Sequence, residues 1–176
     1  MQERGALPPL KAEHASQGDG LRRRYRLAAA VAVAVVAADQ LTKWWAVDAL
    51  ASRTITLIGP TRLALSHNTG GAFGLGSGFV PFVALAVVAL VVVLVSVGRA
   101  AASPAVAVAL GLVTGGAVGN LADRIFRAPG LLRGSVVDFV DLRWWPVFNV
   151  GDMAITAGCI LLVLLSFSRE RSATGR

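Results

Sequence analysis

The chain has little of what most soluble enzymes use for chemistry. Its 176 residues include one cysteine and two histidines, so there is no disulfide framework and no Cys/His spacing typical of a metal site. No serine or cysteine is accompanied by a histidine suited to activate it, and the HExxH zinc-peptidase motif is absent. We therefore expect neither a metal nor a cofactor.

Charge is also scarce. Only 15% of the residues are charged and 55% are apolar, which is typical of a membrane protein. Four apolar stretches approach the ~20 residues that cross a hydrocarbon core as a helix. They run from Leu27 to about Val47, from Phe79 to Val97, from Ala105 to about Arg124, and from about Asn149 to Phe167. The third carries Gly111, Gly115 and Gly119 at four-residue spacing, which predicts a face for close helix packing.

The charges at the ends of the spans predict their orientation. Residues 1–26 are polar and are predicted to form a disordered basic cytoplasmic tail. Four arginines at positions 22, 23, 24 and 26 abut the first span and favour a cytoplasmic N-terminus. Four crossings of the domain at 27–168 then return the tail at 169–176 to the cytoplasm. The net charge of +7 lies at membrane boundaries, so we expect anionic lipid headgroups as partners and no nucleic acid.

The first external loop contains two strand-like runs, Thr54–Ile58 and Arg62–Leu65, separated by Gly59–Pro60, a turn signal. A second external loop is predicted from about Ile125 to Phe148. The expected fold is thus an all-α membrane protein with four transmembrane helices, a small extracytoplasmic β-like element and an external loop.

Five aspartates lie inside or at the ends of the apolar stretches: Asp39, Asp123, Asp138, Asp141 and Asp152. An ionisable residue within a span costs about 2.5–3.5 kcal/mol at mid-bilayer and is a candidate for function. Asp39 precedes Lys43 by four residues, and this pair can be neutral on one helix face. Asp123 has Arg124 beside it and can be neutralised by pairing. No cation stands at helical spacing from Asp138 or Asp152, which makes these two the main candidates for chemistry.

The predicted topology brings these residues, with Asn120 and Asn149, to one depth near the external leaflet. Two carboxylates in one site share a proton, and such a dyad can activate water for hydrolysis. A small proton- or ion-coupled transporter is the main alternative, since membrane carboxylates also relay protons. A relay should, however, extend through the membrane, and the predicted second span has no charge. A purely structural role would leave Asp138 and Asp152 unexplained.

Five segments, in order, resemble the motifs of lipoprotein signal peptidase (signal peptidase II). They are Asp39-Gln-Leu-Thr-Lys43, Asn68-Thr-Gly-Gly-Ala-Phe73, Gly115-Gly-Ala-Val-Gly-Asn-Leu-Ala-Asp-Arg124, Val136-Val-Asp-Phe139 and Phe148-Asn-Val-Gly-Asp152. The segment after Arg124 is longer than is usual in the family, and Gly151 stands where alanine is common.

The resemblance implies an aspartic endopeptidase of the bacterial inner membrane, and the predicted topology places its active site near the outer leaflet. Each span has enough apolar surface to face lipid, so we expect a monomer. It implies removal of the signal peptide from diacylglyceryl-modified prolipoproteins, by cleavage before the lipidated cysteine. The family's catalytic dyad maps onto Asp138 and Asp152, and Asp141 is expected to shape the loop. The substrate-binding or site-supporting residues map onto Asp39, Lys43, Asn68, Gly71, Asn120, Asp123, Arg124 and Asn149.

Overall fold

The computed structural model describes residues 10–69, 103–129 and 134–174, with side chains described between 18 and 167. In these ranges it has three helices and three strands. The helices are α1 (Leu10–Ala49), α2 (Pro104–Phe126) and α3 (Val150–Thr174). The strands are β1 (Ile55–Thr56), β2 (Arg62–Asn68) and β3 (Val136–Asp141). The predicted second span and Gly71 lie outside the described residues.

Three of the described helical segments are long and apolar enough to cross a membrane: Gly18–Ala49, Pro104–Phe126 and Val150–Phe167. They correspond to the first, third and fourth predicted spans. α2 begins where the Ser103 side chain accepts a hydrogen bond from the Val106 amide at 3.3 Å. Pro104 occupies the first helical position, where its missing amide hydrogen costs no hydrogen bond.

α1 begins at Leu10, so residues 10–26 are helical, whereas the sequence predicts a disordered tail over 1–26. Leucine, alanine and arginine, which are good helix formers, make up eight of the 17 residues from 10 to 26. The apolar span that follows supplies a nucleus from which the helix can extend toward its N-terminus.

Glycines of α2 allow close contact with both neighbouring helices, which confirms the predicted packing face. A Cβ atom at Gly111 would lie 2.7 Å from the Ala28 carbonyl oxygen of α1, and one at Gly115 2.7 Å from that of Ala32. Gly116 instead faces α3, where a Cβ atom would collide with the Gly151 carbonyl oxygen. α2 is therefore packed between α1 and α3.

The strands form one antiparallel sheet in the order β1-β2-β3. The two predicted strand-like runs pair as β1 and β2. β1 is shorter than the predicted run Thr54–Ile58, and β2 extends beyond its predicted end to Asn68. β3 lies in the segment predicted to be an external loop, and it pairs with β2 from Arg62↔Asp141 to Asn68↔Val136. Its three valines and one phenylalanine suit a strand, but its partner lies far away in the sequence.

The sheet packs on the end of α1. Ala46 of α1, Leu50 just after it and Phe139 of β3 form a buried cluster, and partly buried Ile55 and Leu63 pack against it. Trp45 contacts Phe139 edge-to-face, with ring centroids 6.5 Å apart. These contacts fix β3 beside the ends of the helices.

Replacing Gly116 by alanine is expected to destabilise the protein by about 1–3 kcal/mol, because the added methyl group meets backbone of α3 that cannot move independently. Thermal unfolding in detergent measures the change. Gly20→Ala is the control, since a Cβ atom there meets nothing within 4 Å, and it should leave the unfolding temperature unchanged or slightly raised. Equal unfolding temperatures for the two variants would contradict the packing described.

Candidate active site

Eight polar or charged side chains of the described residues are buried, and they come from all three helices' ends and from β3. They are Asp39, Lys43, Asn120, Asp123, Arg124, Asp138, Asp141 and Asn149. Every buried side-chain nitrogen and oxygen in the described part of the chain has a hydrogen-bond partner. Such satisfaction is what makes a buried polar group tolerable.

Lys43 lies at the centre of this group, with none of its side chain exposed. Its Nζ is 2.8 Å from Asp39 Oδ2 and 2.9 Å from Asp123 Oδ2. It also donates a hydrogen bond of 2.8 Å to Asn120 Oδ1. The ammonium therefore contacts Asp39 of its own helix and both Asp123 and Asn120 of α2, which joins the two helices.

A second cation balances the second carboxylate. Arg127 Nε is 2.6 Å from Asp123 Oδ1, so Asp39 and Asp123 together face two cations, Lys43 and Arg127. The sequence predicts that Arg124 neutralises Asp123. In the structure Arg124 instead donates to the carbonyl oxygens of Asn68 and Gly134 at 2.8 and 3.0 Å. Residues one apart on a helix point in different directions, whereas those four apart share a face. The i,i+4 spacing of Asp123 and Arg127 was the signal that sequence reasoning missed.

The two carboxylates of this group also hold other elements of the fold. Asp39 Oδ1 accepts the amide of Gly151 at 2.8 Å, which ties α1 to the first turn of α3. Asp123 Oδ2 accepts the amide of Val137 at 3.2 Å, which ties α2 to β3. Gln40, which the sequence analysis did not single out, donates to Asp39 Oδ2 at 3.1 Å and to the Gly119 carbonyl oxygen at 3.0 Å.

Asn149 and Asp152 form a reciprocal cap at the start of α3. The Asp152 amide donates to Asn149 Oδ1 at 2.9 Å, and the Asn149 amide donates to Asp152 Oδ2 at 3.2 Å. This is a capping box, built here from asparagine and aspartate, and it satisfies two amides that the helix leaves without partners. The box fixes the Asp152 carboxylate at the helix N-terminus, where the helix dipole favours negative charge.

Amide side chains connect the box to the remaining candidate carboxylate. Asn149 Nδ2 donates to Asp138 Oδ1 at 2.6 Å and to Asn120 Oδ1 at 3.1 Å. Asn120 Nδ2 donates to the other oxygen of the box, Asp152 Oδ1, at 2.8 Å. The structure thus brings Asp138 and Asp152 to the same asparagine, although they belong to β3 and α3.

Asp138 is almost completely buried, with 2% of its surface exposed. Burial, together with the charge of nearby Asp152, raises the pKa of Asp138 to about 6, although hydrogen bonds from Asn149 and Asn68 act in the opposite direction. A carboxyl with this pKa and a second carboxylate nearby can hold a shared proton near neutral pH.

Asp141 lies at the other end of β3 from this site. Its Oδ2 is 2.6 Å from Arg62 Nε and its Oδ1 accepts the Arg143 amide at 2.7 Å. Hydrogen bonds from Arg143 and then Arg62 lower the pKa of Asp141. Arg143 has a left-handed φ of 69°, which is uncommon for a residue with a side chain. Asp141 therefore holds the turn after β3.

The described residues contain no cluster of three or more His, Cys, Asp or Glu side chains placed to hold a metal ion. What the site offers is two carboxylates, Asp138 and Asp152, which accept hydrogen bonds from asparagine side chains and lie beside the ion pairs of Lys43. A pair of carboxylates held in this way among membrane-capable helices is typical of a membrane aspartic peptidase.

A family model described as signal peptidase (SPase) II matches residues 31–168, and the chain belongs to this family. A lipoprotein signal peptidase from Mycobacterium avium (strain 104) is 46% identical over 157 residues, which cover 88% of this chain and 86% of the relative. One from Rhodococcus jostii (strain RHA1) is 44% identical over 164 residues, covering 92% and 79%. The chain is therefore an aspartic peptidase of the signal peptidase II type.

Two solved structures described as bacterial membrane enzymes have a similar fold. One, determined by the in meso method at 2.3 Å resolution, has a TM-score of 0.61 and 27% identity, and the match covers 80% of this chain and 87% of that one. The other, at 1.9 Å, has a TM-score of 0.60 and 28% identity, covering 78% and 90%.

Lys43→Met should destabilise the protein by about 3–5 kcal/mol, because it leaves two buried carboxylates without their shared cation. Arg127→Gln is the matched control, since it also removes a cation bound to Asp123. Its effect should be smaller, because Arg127 is partly exposed and glutamine can still donate a hydrogen bond. Thermal unfolding of both variants tests the difference. A larger loss in Arg127→Gln would contradict the central place given to Lys43.

The pKa of Asp138 predicts a pH dependence of stability. Because the folded state binds this proton more tightly than the unfolded chain does, the free energy of unfolding should fall as the pH rises from about 4 through about 6. The stabilising contribution of the protonated carboxyl is fully present below about pH 4 and is lost above about pH 6. Asp138→Asn should abolish this part of the pH dependence, as followed by the unfolding temperature. An unchanged profile would show that Asp138 ionises as it does in the unfolded chain.

Proposed function

We propose that the protein is a membrane aspartic endopeptidase that removes the signal peptide from diacylglyceryl-modified prolipoproteins, cutting before the lipidated cysteine, with Asp138 and Asp152 as its catalytic dyad. The names of its relatives and its family membership support the reaction. The observation that carries the residue assignment is that one asparagine, Asn149, bonds both carboxylates.

In this mechanism the dyad holds one proton between two carboxylates. The ionised carboxylate takes a proton from a bound water, which attacks the scissile carbonyl carbon. The protonated carboxyl donates to the carbonyl oxygen as negative charge develops there. The proton taken from water is then available for the departing amine, so the dyad ends with one proton as it began. Because the two groups are coupled, the pair titrates as a unit.

The amide contacts give the dyad a fixed geometry. Asn120 and Asn149 each donate to one or both carboxylates and are themselves linked at 3.1 Å. A catalytic group held in place before substrate arrives loses little free energy to reorganisation during the reaction. Lys43 contributes as a positioning residue, because its hydrogen bond to Asn120 Oδ1 leaves the Asn120 amide nitrogen directed to Asp152. Asn68, Arg124 and Gly71 complete the proposed set of supporting residues.

The site's place in the spans suits a lipid-modified substrate. Asp123 lies in the last turn of α2 and Asp152 in the first turn of α3, so both mark the same membrane face. With both termini in the cytoplasm of a bacterium, this face is the outer leaflet of the inner membrane. A precursor could then be cut there while its acyl chains stay in the bilayer. A monomer contains every group that the mechanism uses.

A proton-coupled transporter is less well supported. A relay needs ionisable groups along the membrane depth. In the described spans the buried carboxylates lie in the last part of α1 and the last turn of α2, and half-buried Asp152 lies in the first turn of α3.

Asp138→Asn and Asp152→Asn should each reduce cleavage by about 10²–10⁴-fold or more, because each removes half of the acid–base pair. The measurement is the gel-shift cleavage of a diacylglyceryl-modified prolipoprotein by purified protein. Asp48→Asn, a change to an exposed aspartate at the end of α1, is the control and should cleave normally. Retention of the wild-type unfolding temperature excludes loss by misfolding.

Substantial cleavage by either dyad variant would overturn the residue assignment while leaving the activity in place. Absence of cleavage by folded wild-type protein would overturn the proposed substrate. Since the mechanism assigns every proton transfer to carboxylates, a chelator should not change the rate.

A further inference from the structure

Two turns leave the sheet at the same end, away from the proposed active site. The register pairs Thr56 with Arg62 and Arg62 with Asp141. The β1–β2 turn and the turn after β3 therefore begin side by side. The candidate dyad lies toward the opposite end, where Asn68 pairs with Val136.

Both turns expose large apolar side chains. In the first turn Leu57 is 51% and Ile58 88% exposed, and in the second Trp144 is 71% and Trp145 58% exposed. We name these four residues the turn-end patch. None of them belongs to a buried cluster of the described residues. They also lie outside the membrane-capable helices, so contact between the spans and lipid does not explain why these apolar side chains are exposed.

Hydrogen bonds hold the turns in shapes that maintain this exposure. The Leu57 amide donates to the Thr61 carbonyl oxygen at 2.9 Å, and the Thr61 amide to that of Ile58 at 3.2 Å. Gly59 between them has a left-handed φ of 59°, a conformation that glycine adopts without strain. The apolar side chains of this turn are therefore presented outward by an ordered backbone.

The second turn is held as firmly. Asp141 accepts the Arg143 amide and pairs with Arg62, which fixes the chain just before the tryptophans. The rings of Trp144 and Trp145 pack edge-to-face with centroids 6.0 Å apart. They form a single aromatic surface.

The sheet packs against the end of a membrane-capable helix. Phe139 of β3 contacts Trp45 and packs with Leu50, and the candidate span of α1 ends at Ala49. Trp44 and Trp45 are exposed on this last part of α1, as in the aromatic belt of membrane proteins. The sheet that carries the turn-end patch is thus joined to the part of α1 that carries these tryptophans.

An exposed cation next to the patch in the chain fits the same environment. Arg143 directly precedes Trp144 and is exposed, whereas Arg62 is neutralised by Asp141. Arginine beside tryptophan is suited to the headgroup region, where the guanidinium meets phosphate and the rings meet the acyl boundary.

We propose that the turn-end patch inserts into the headgroup–acyl boundary of the bilayer leaflet at the end of α1, and thereby anchors the sheet on the membrane surface. The occupant of the patch is phospholipid. The anchor would keep β3, which carries Asp138, at a constant height above the spans.

A spin-label measurement tests this on the full chain in vesicles made of equal parts phosphatidylcholine and phosphatidylglycerol. The single native cysteine is removed by Cys159→Ser, and a nitroxide is placed at Ile58→Cys. Collisions with oxygen, which concentrates in lipid, are compared with collisions with a water-soluble nickel chelate. Val33→Cys, exposed on the α1 span, is the lipid reference, and Thr54→Cys, exposed before β1, is the reference outside the patch. Trp144→Cys provides a second patch position.

The proposal predicts that both patch labels favour oxygen, as the Val33 label does, whereas the Thr54 label favours the nickel chelate. Ile58 is largely exposed, so its replacement should not disturb folding. Patch labels that match the Thr54 label would overturn the proposal. Labels that become protected from the chelate only after a diacylglyceryl-modified precursor is added would also overturn it, and would assign the patch to the substrate.

Discussion

The arrangement of this protein depends on the ammonium of Lys43, which is enclosed between two carboxylates and an amide oxygen. A buried charge is tolerable when it is paired and hydrogen-bonded, and costly when a partner is lost. The three contacts come from α1 and α2, and they can all be made in one relative position of the helices. The same constraint reaches further, since Asp39 binds the start of α3 and Asp123 binds β3.

The fold separates two kinds of carboxylate within one buried group. Asp39 and Asp123 face Lys43 and Arg127, so they serve as fixed charges that hold elements together. Asp138 is held chiefly by amide donors and lies near Asp152, and its pKa is raised to about 6. Amides orient a carboxylate without supplying a full positive charge, which leaves the pair able to exchange a proton. The proposed chemistry therefore depends on the separation of ion-paired carboxylates from amide-bonded ones, and not on how many carboxylates are buried.

Much of this was accessible from the sequence, because the relevant signals are local. Span lengths, the β1–β2 turn and the i,i+4 spacing of Asp39 and Lys43 all concern residues close in the chain. The partner of β3 could not be inferred, since it depends on a pairing between two distant external segments. The link from Asn149 to Asp138 could not be inferred for a related reason, because it depends on how α3 and β3 come together. The role of Arg127 was missed although its i,i+4 spacing from Asp123 is a local signal. Gly71 and the second predicted span remain predictions.

The account's central claim is that the shared proton belongs to Asp138 and Asp152 and not to the ion-paired carboxylates. Infrared difference spectroscopy of the protein in detergent, across the pH range around 6, measures this directly through the carbonyl stretch of a protonated carboxyl group. The account predicts a band that titrates in this range, persists in Asp123→Asn, and is lost in Asp138→Asn. A titrating band that persists in Asp138→Asn and disappears in Asp123→Asn would contradict it.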